Sequence, residues 1–133
     1  ISVGTLVSLG SALALAVAMD LTREQYVTLL PKSVTTAISM DVAAELGGIA
    51  ALTGAIVILT GILGALMAEM VCKVCHITHP IARGIGIGTA AHAVGTSKAL
   101  QMGEVEGAMS GLAVAVAGVM TAILCPVFSS FIS

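Results

Sequence analysis

LGGIAALTGAIVILTGILGALMA, residues 46–68, carries no charged side chain, and its only polar side chains are Thr53 and Thr60. An apolar run of about 18 residues or more is long enough to cross the ~30 Å hydrocarbon layer of a bilayer as a helix. Two further uncharged runs, 1–19 and 107–133, meet the same test. The whole chain of 133 residues is 58% hydrophobic and 9% charged. A soluble domain carries roughly 25% charged residues, so this chain lacks the charge to coat a soluble globule. Its hydrophobicity rests on aliphatic residues, Ala, Gly and Met, with no Trp. Small residues of this kind let membrane helices approach closely. A net charge of -2 offers no basic face for nucleic acid. The opening run lacks the basic start and small-residue cleavage pattern of a signal peptide.

Two apolar segments on either side of this run carry polar islands. In 29–44 the island is Pro31-Lys32-Ser33-Val34-Thr35-Thr36. Proline disfavours helix in the residue before it and fits the first helical position. A helix starting at Pro31 is therefore expected, with Leu30 outside the helical region. Its free amides, the Lys32 ammonium and the hydroxyls of Ser33, Thr35 and Thr36 together make a candidate anion site. Such a site must line a cavity, because lipid does not satisfy it.

The second island lies in 82–99, where Gly84, Gly86, Gly88 and Gly95 surround Thr89, His92 and Thr96. The glycines do not have dinucleotide-binding spacing. They suggest a broken helix or close helix contact near residue 88. His92 reads either as a satisfied core histidine or as a proton site, since its ordinary pKa of about 6.5 suits proton coupling. Paired interrupted segments point to a binding site near the bilayer midplane. Gly88, Thr89, His92, Gly95 and Thr96 therefore join Lys32, Ser33, Thr35 and Thr36 as candidate substrate-binding residues.

Between 69 and 80 lies Cys72-Lys73-Val74-Cys75-His76, with His79 beyond. The string matches C-x-x-C-H haem attachment, and with His79 it also has four candidate zinc ligands. A connection this short offers haem no pocket and zinc little geometry, so no metal or cofactor is expected. Cys125 reads as a packing residue. Neither Ser33 nor Cys75 has a base and an orienting acid at recognisable spacing, so the chain is not expected to be an enzyme. Lys73, Arg83 and the two histidines place this link on the cytoplasmic side.

The order of these motifs resembles the LrgB/CidB family of bacterial membrane proteins. The likeness rests on Pro31-Lys32-Ser33-Val34-Thr35-Thr36, Gly47-Gly48-Ile49, Thr60 to Ala65, Ala82-Arg83-Gly84, Gly88 to Thr96, and Glu106-Gly107-Ala108 with Ser110. Ala37 and Ala50 stand where the family commonly has proline. The resemblance implies that residues 1–133 form a single transmembrane domain, the C-terminal half of a longer protein. It implies either a carrier of small monocarboxylates such as pyruvate, glycolate, glycerate or lactate, or a holin/antiholin-like modulator of murein hydrolase activity and autolysis. The latter works with a small LrgA/CidA-type membrane partner.

The expected fold is an all-α, polytopic integral membrane bundle of about five apolar helical segments, two of them broken or re-entrant, with an inverted repeat as a candidate. The expected location is the plasma (inner) membrane, multi-pass and homo-oligomeric. An amphipathic lining stripe or rings of charge, as a pore needs, are not evident. The isolated polar islands favour proton-coupled carboxylate carriage, with the holin-like role second.

Overall fold

A computed structural model describes residues 1–132. They form α1 (Ser2–Ala18), α2 (Arg23–Leu29), α3 (Thr36–Glu45), α4 (Ala50–Val74), α5 (Pro80–Met102) and α6 (Glu104–Ser129), with no strand among the described residues. Only α4, at 25 residues, and α6, at 26, are both long and apolar enough to cross a membrane. At about 1.5 Å per residue they span roughly 37 and 39 Å. α1 is apolar but shorter, at 17 residues. Less than a third of the most apolar stretch of either α4 or α6 is buried within this chain.

Each helix buries a narrow stripe. In α1 the stripe is Thr5, Leu9, Ala12 and Ala16, recurring at three- and four-residue steps. Leu9, Ala12 and Ala16 pack with Tyr26, Val27 and Leu30, with Val42 of α3 and with Cys125 of α6. The Tyr26 hydroxyl donates to the Phe128 carbonyl at 2.9 Å, joining α2 to the end of α6. α2 begins with a reciprocal capping box between Thr22 and Gln25, which satisfies amides that the first helical turn leaves free.

The first island departs from expectation. Leu30 keeps right-handed helical dihedrals despite preceding Pro31. The chain then turns, and the next helix starts at Thr36 with Thr35 as its N-cap. Buried Ser39 donates to the Pro31 carbonyl at 2.7 Å, and Lys32 N–H reaches the Leu29 carbonyl at 3.2 Å. The turn thus closes on itself. The amides after Pro31 are not a helix N-terminus, and the free first-turn amides belong to α3.

The second island is continuous through Gly84, Gly86 and Gly88. Gly84 and Gly88, four residues apart, lie on one face of α5 against α6. A methyl group at Gly84 would meet the Glu106 carbonyl, and one at Gly88 the Ser110 carbonyl. Absent side chains bring the two backbones together there. The residue in α5 with non-helical dihedrals is His92, at φ 40° and ψ -135°. That region is costly for any residue with a Cβ.

Candidate functional site

Lys32 stands in the turn between α2 and α3, and its Nζ points toward α1. It donates to Ser8 Oγ at 3.2 Å and to Ser33 Oγ at 3.4 Å. Ser8 Oγ in turn donates to Ser33 Oγ at 2.6 Å. A lysine ammonium has three N–H donors and no acceptor. Two are engaged by the serines, so one remains. Ser8 spends its proton on Ser33, which leaves the Ser33 hydroxyl proton free. One ammonium N–H and one hydroxyl thus remain for an incoming acceptor.

These groups open into a cleft of about 630 Å³ between α1, the Lys32 turn, α4 and α5. Ser8, Ser11, Lys32, Ser33, Thr60 and Thr89 are its polar lining residues. The remaining walls are apolar or glycine. Gly4 of α1 packs on the Thr89 methyl and closes one side. Thr89 donates its hydroxyl to the Ile85 carbonyl at 2.7 Å, so it offers the cleft only an acceptor. Among the described residues the only ion pair is Lys98 with Glu69. Lys32 therefore has no carboxylate partner there. A partly buried ammonium without a counter-charge, beside a free hydroxyl, suits a small anion.

Of the candidate residues, the fold gathers Lys32, Ser33 and Thr89 around this cleft. Thr35, Thr36, Gly88, His92, Gly95 and Thr96 do not line it. Thr35 and Thr36 begin α3, where the Thr36 methyl faces Gly54 of α4. Gly88 serves the α5–α6 contact. Gly95 packs on Ile87 and Ala91 of its own helix. Thr96 donates to the His92 carbonyl at 3.0 Å and pairs with Ser110 Oγ at 2.8 Å. His92 is 2% exposed, and its ring lies against Gly61 of α4. Its Nε2 is buried without a hydrogen-bond partner.

Ser8 and Ser11 escape sequence reasoning, and Thr60 enters it only as part of the family-like string, not as a site residue. Each is a lone hydroxyl in an apolar run, and only the packing of α1 and α4 against the turn brings them to Lys32. The cysteine string is split by burial: Cys72 is buried in the last turns of α4, whereas Cys75 is exposed, and both are free thiols.

The family model described as the LrgB-like family matches residues 1–131. The chain is similar to proteins named Antiholin-like protein LrgB from Bacillus mycoides (strain KBAB4), Bacillus cereus (strain B4264) and Bacillus anthracis (strain CDC 684 / NRRL 3495). Each is 37% identical over 132 residues, which is 99% of this chain and 57% of the relative. The chain thus spans little more than half the length of these relatives. No solved structure matches.

Proposed function

The chain belongs to the LrgB-like family, and from that membership we propose that it is part of a multi-pass inner-membrane protein with an antiholin-like role. In this role it restrains murein hydrolase activity and autolysis together with a small LrgA-type membrane partner. The observation that carries this reading is the match to antiholin-like relatives over 99% of the chain. It reverses the order of the sequence reading, which put carboxylate carriage first. In this reading α4 and α6 cross the bilayer, α2 and α3 with the turn between them form one interrupted element, and α5 breaks at His92. The test is to delete the gene for the full-length protein and to express it back, alone and with its partner. Deletion should raise secreted murein hydrolase activity and speed autolysis. Unchanged lysis and hydrolase activity would overturn the role.

A second reading, carriage of small monocarboxylates, is favoured by one observation: Lys32 faces a cleft with a free N–H and no carboxylate partner among the described residues. A lysine within a membrane span costs roughly 2.5–3.5 kcal/mol on insertion scales. A substrate carboxylate would offset that cost. In vesicles holding the full-length protein, Lys32→Met should abolish uptake of labelled pyruvate, lactate or glycolate while insertion is kept. Full uptake by Lys32→Met would remove this reading and leave the antiholin-like role standing.

A further inference from the structure

Beside the Lys32 cleft, and separated from it by the shared α5 stripe of Ala82, Gly86 and Ala90, α4 and α5 leave a second groove of about 300 Å³. Met67, Ala68, Val71, Ile87 and Ala90 make it almost wholly apolar. Toward the α4–α5 turn it runs into a wider opening of about 260 Å³, where Glu69, Lys73, Arg83 and Met102 stand. Cys72 and Arg83 line both spaces, so the two are continuous.

The charges at the wide end are unequal. Glu69 forms its ion pair with Lys98 and feels Lys73 only at longer range, so neither Lys73 nor Arg83 forms an ion pair of its own among the described residues. Arg83 Nε donates to the Ile77 carbonyl at 2.8 Å. That bond holds the side chain across the turn and leaves both terminal amino groups of the guanidinium free. A planar guanidinium with two free amino groups matches a phosphate oxygen pair. The site is therefore a narrow apolar trough with two unpaired cations at its mouth. Basic pockets between membrane helices on the cytoplasmic side are suited to anionic lipid headgroups.

We propose that this groove holds one acyl chain of an anionic phospholipid, with the lipid phosphate between Lys73 and Arg83. The inference rests on the membrane reading but not on either role proposed above. The trough supplies apolar contact for the chain, and the cations supply the preference for an anionic over a zwitterionic headgroup.

The experiment uses the full-length protein in detergent, supplied with phosphatidylglycerol or phosphatidylcholine and read by native mass spectrometry. Phosphatidylglycerol should be retained in preference to phosphatidylcholine. Lys73→Gln, at the exposed end of α4, and Arg83→Gln should each weaken that retention about fivefold, the effect of one basic residue at an anionic surface. Val71→Phe, on the wall that belongs to this trough and not to the Lys32 cleft, should fill the trough and lose the lipid with both cations intact. Should Arg83→Gln disturb the turn, Lys73→Gln alone still decides the matter. Equal retention of the two lipids, or retention unchanged by Lys73→Gln, overturns the proposal. So does crosslinking from Cys72 that finds the groove filled by another segment of the protein or by a second copy.

Discussion

The Lys32 ammonium is held by two serines, and this arrangement gives each hydroxyl a separate duty. Ser8 accepts from Lys32 and donates to Ser33, so it orients the other two without facing an anion itself. Ser8→Ala should leave Lys32 charged but loosely placed. In vesicle uptake this predicts a raised KM with kcat little changed. Ser33→Ala removes the free hydroxyl and should raise KM and lower kcat. Lys32→Arg should restore uptake only in part, since a planar fork does not occupy the place of a compact ammonium. His92 calls for a different measurement. If its orphan Nε2 takes up a proton during transport, His92→Gln should flatten the pH dependence of uptake. An unchanged profile would return it to a packing role beside Gly61. Lys32 and Ser33 were legible in the sequence because proline and a cation interrupt an apolar segment. Ser8 was not, because an isolated serine in an apolar helix has no local mark. The start of α3 was misread for a similar reason. Its turn is closed by Ser39 reaching back eight residues to Pro31, a contact that proline rules do not contain.

Among the elements, α5 and α6 share the closest backbone approach. At Gly88 even a methyl group would meet the Ser110 backbone, which cannot swing aside as a side-chain tip can. Gly88→Ala should therefore destabilise the detergent-solubilised protein by about 1–3 kcal/mol, the usual range for overpacking. Gly111 on α6 is the control, because nothing lies within 4 Å of an added Cβ there. Gly111→Ala should be neutral or should stabilise by about 0.4–1 kcal/mol. Thermal denaturation of the two variants side by side separates the cases, and equal midpoints would mean that the helices do not meet at Gly88. The clustered glycines were visible in the sequence as either a break or a close contact. The structure assigns Gly84 and Gly88 to the contact and puts the non-helical backbone at His92, four residues later. The start of α2 was also open to reading, as Thr22 and Gln25 have capping-box spacing.

Over the whole molecule, long apolar faces on α4 and α6 remain uncovered by the rest of this chain. That was legible from composition alone. The packing partners of those faces were not, since lipid, other segments and second copies all present the same apolar chemistry. Sidedness can be tested directly. Cys75 is exposed at the α4–α5 turn, whereas Cys72 and Cys125 are buried. On the topology expected from Lys73 and Arg83, with that turn on the cytoplasmic side, a membrane-impermeant maleimide should label Cys75 in inverted vesicles and not in intact cells lacking their outer layers. Labelling in intact cells would put the turn on the outer face.

The bond from the Tyr26 hydroxyl to the Phe128 carbonyl links residues 102 positions apart, and it has a consequence for synthesis. At about 5–20 residues per second, the ribosome needs roughly 5–20 s after making Tyr26 to supply its acceptor. During that interval the residues of α1 and α2 have already been made, yet Cys125 and Phe128, which complete their core, do not exist. The nascent chain must keep a buried tyrosine and its apolar neighbours waiting, shielded by the insertion machinery or by lipid. Ribosome stalling within α6 should therefore leave the early helices open to protease, while release of the finished chain should close them together.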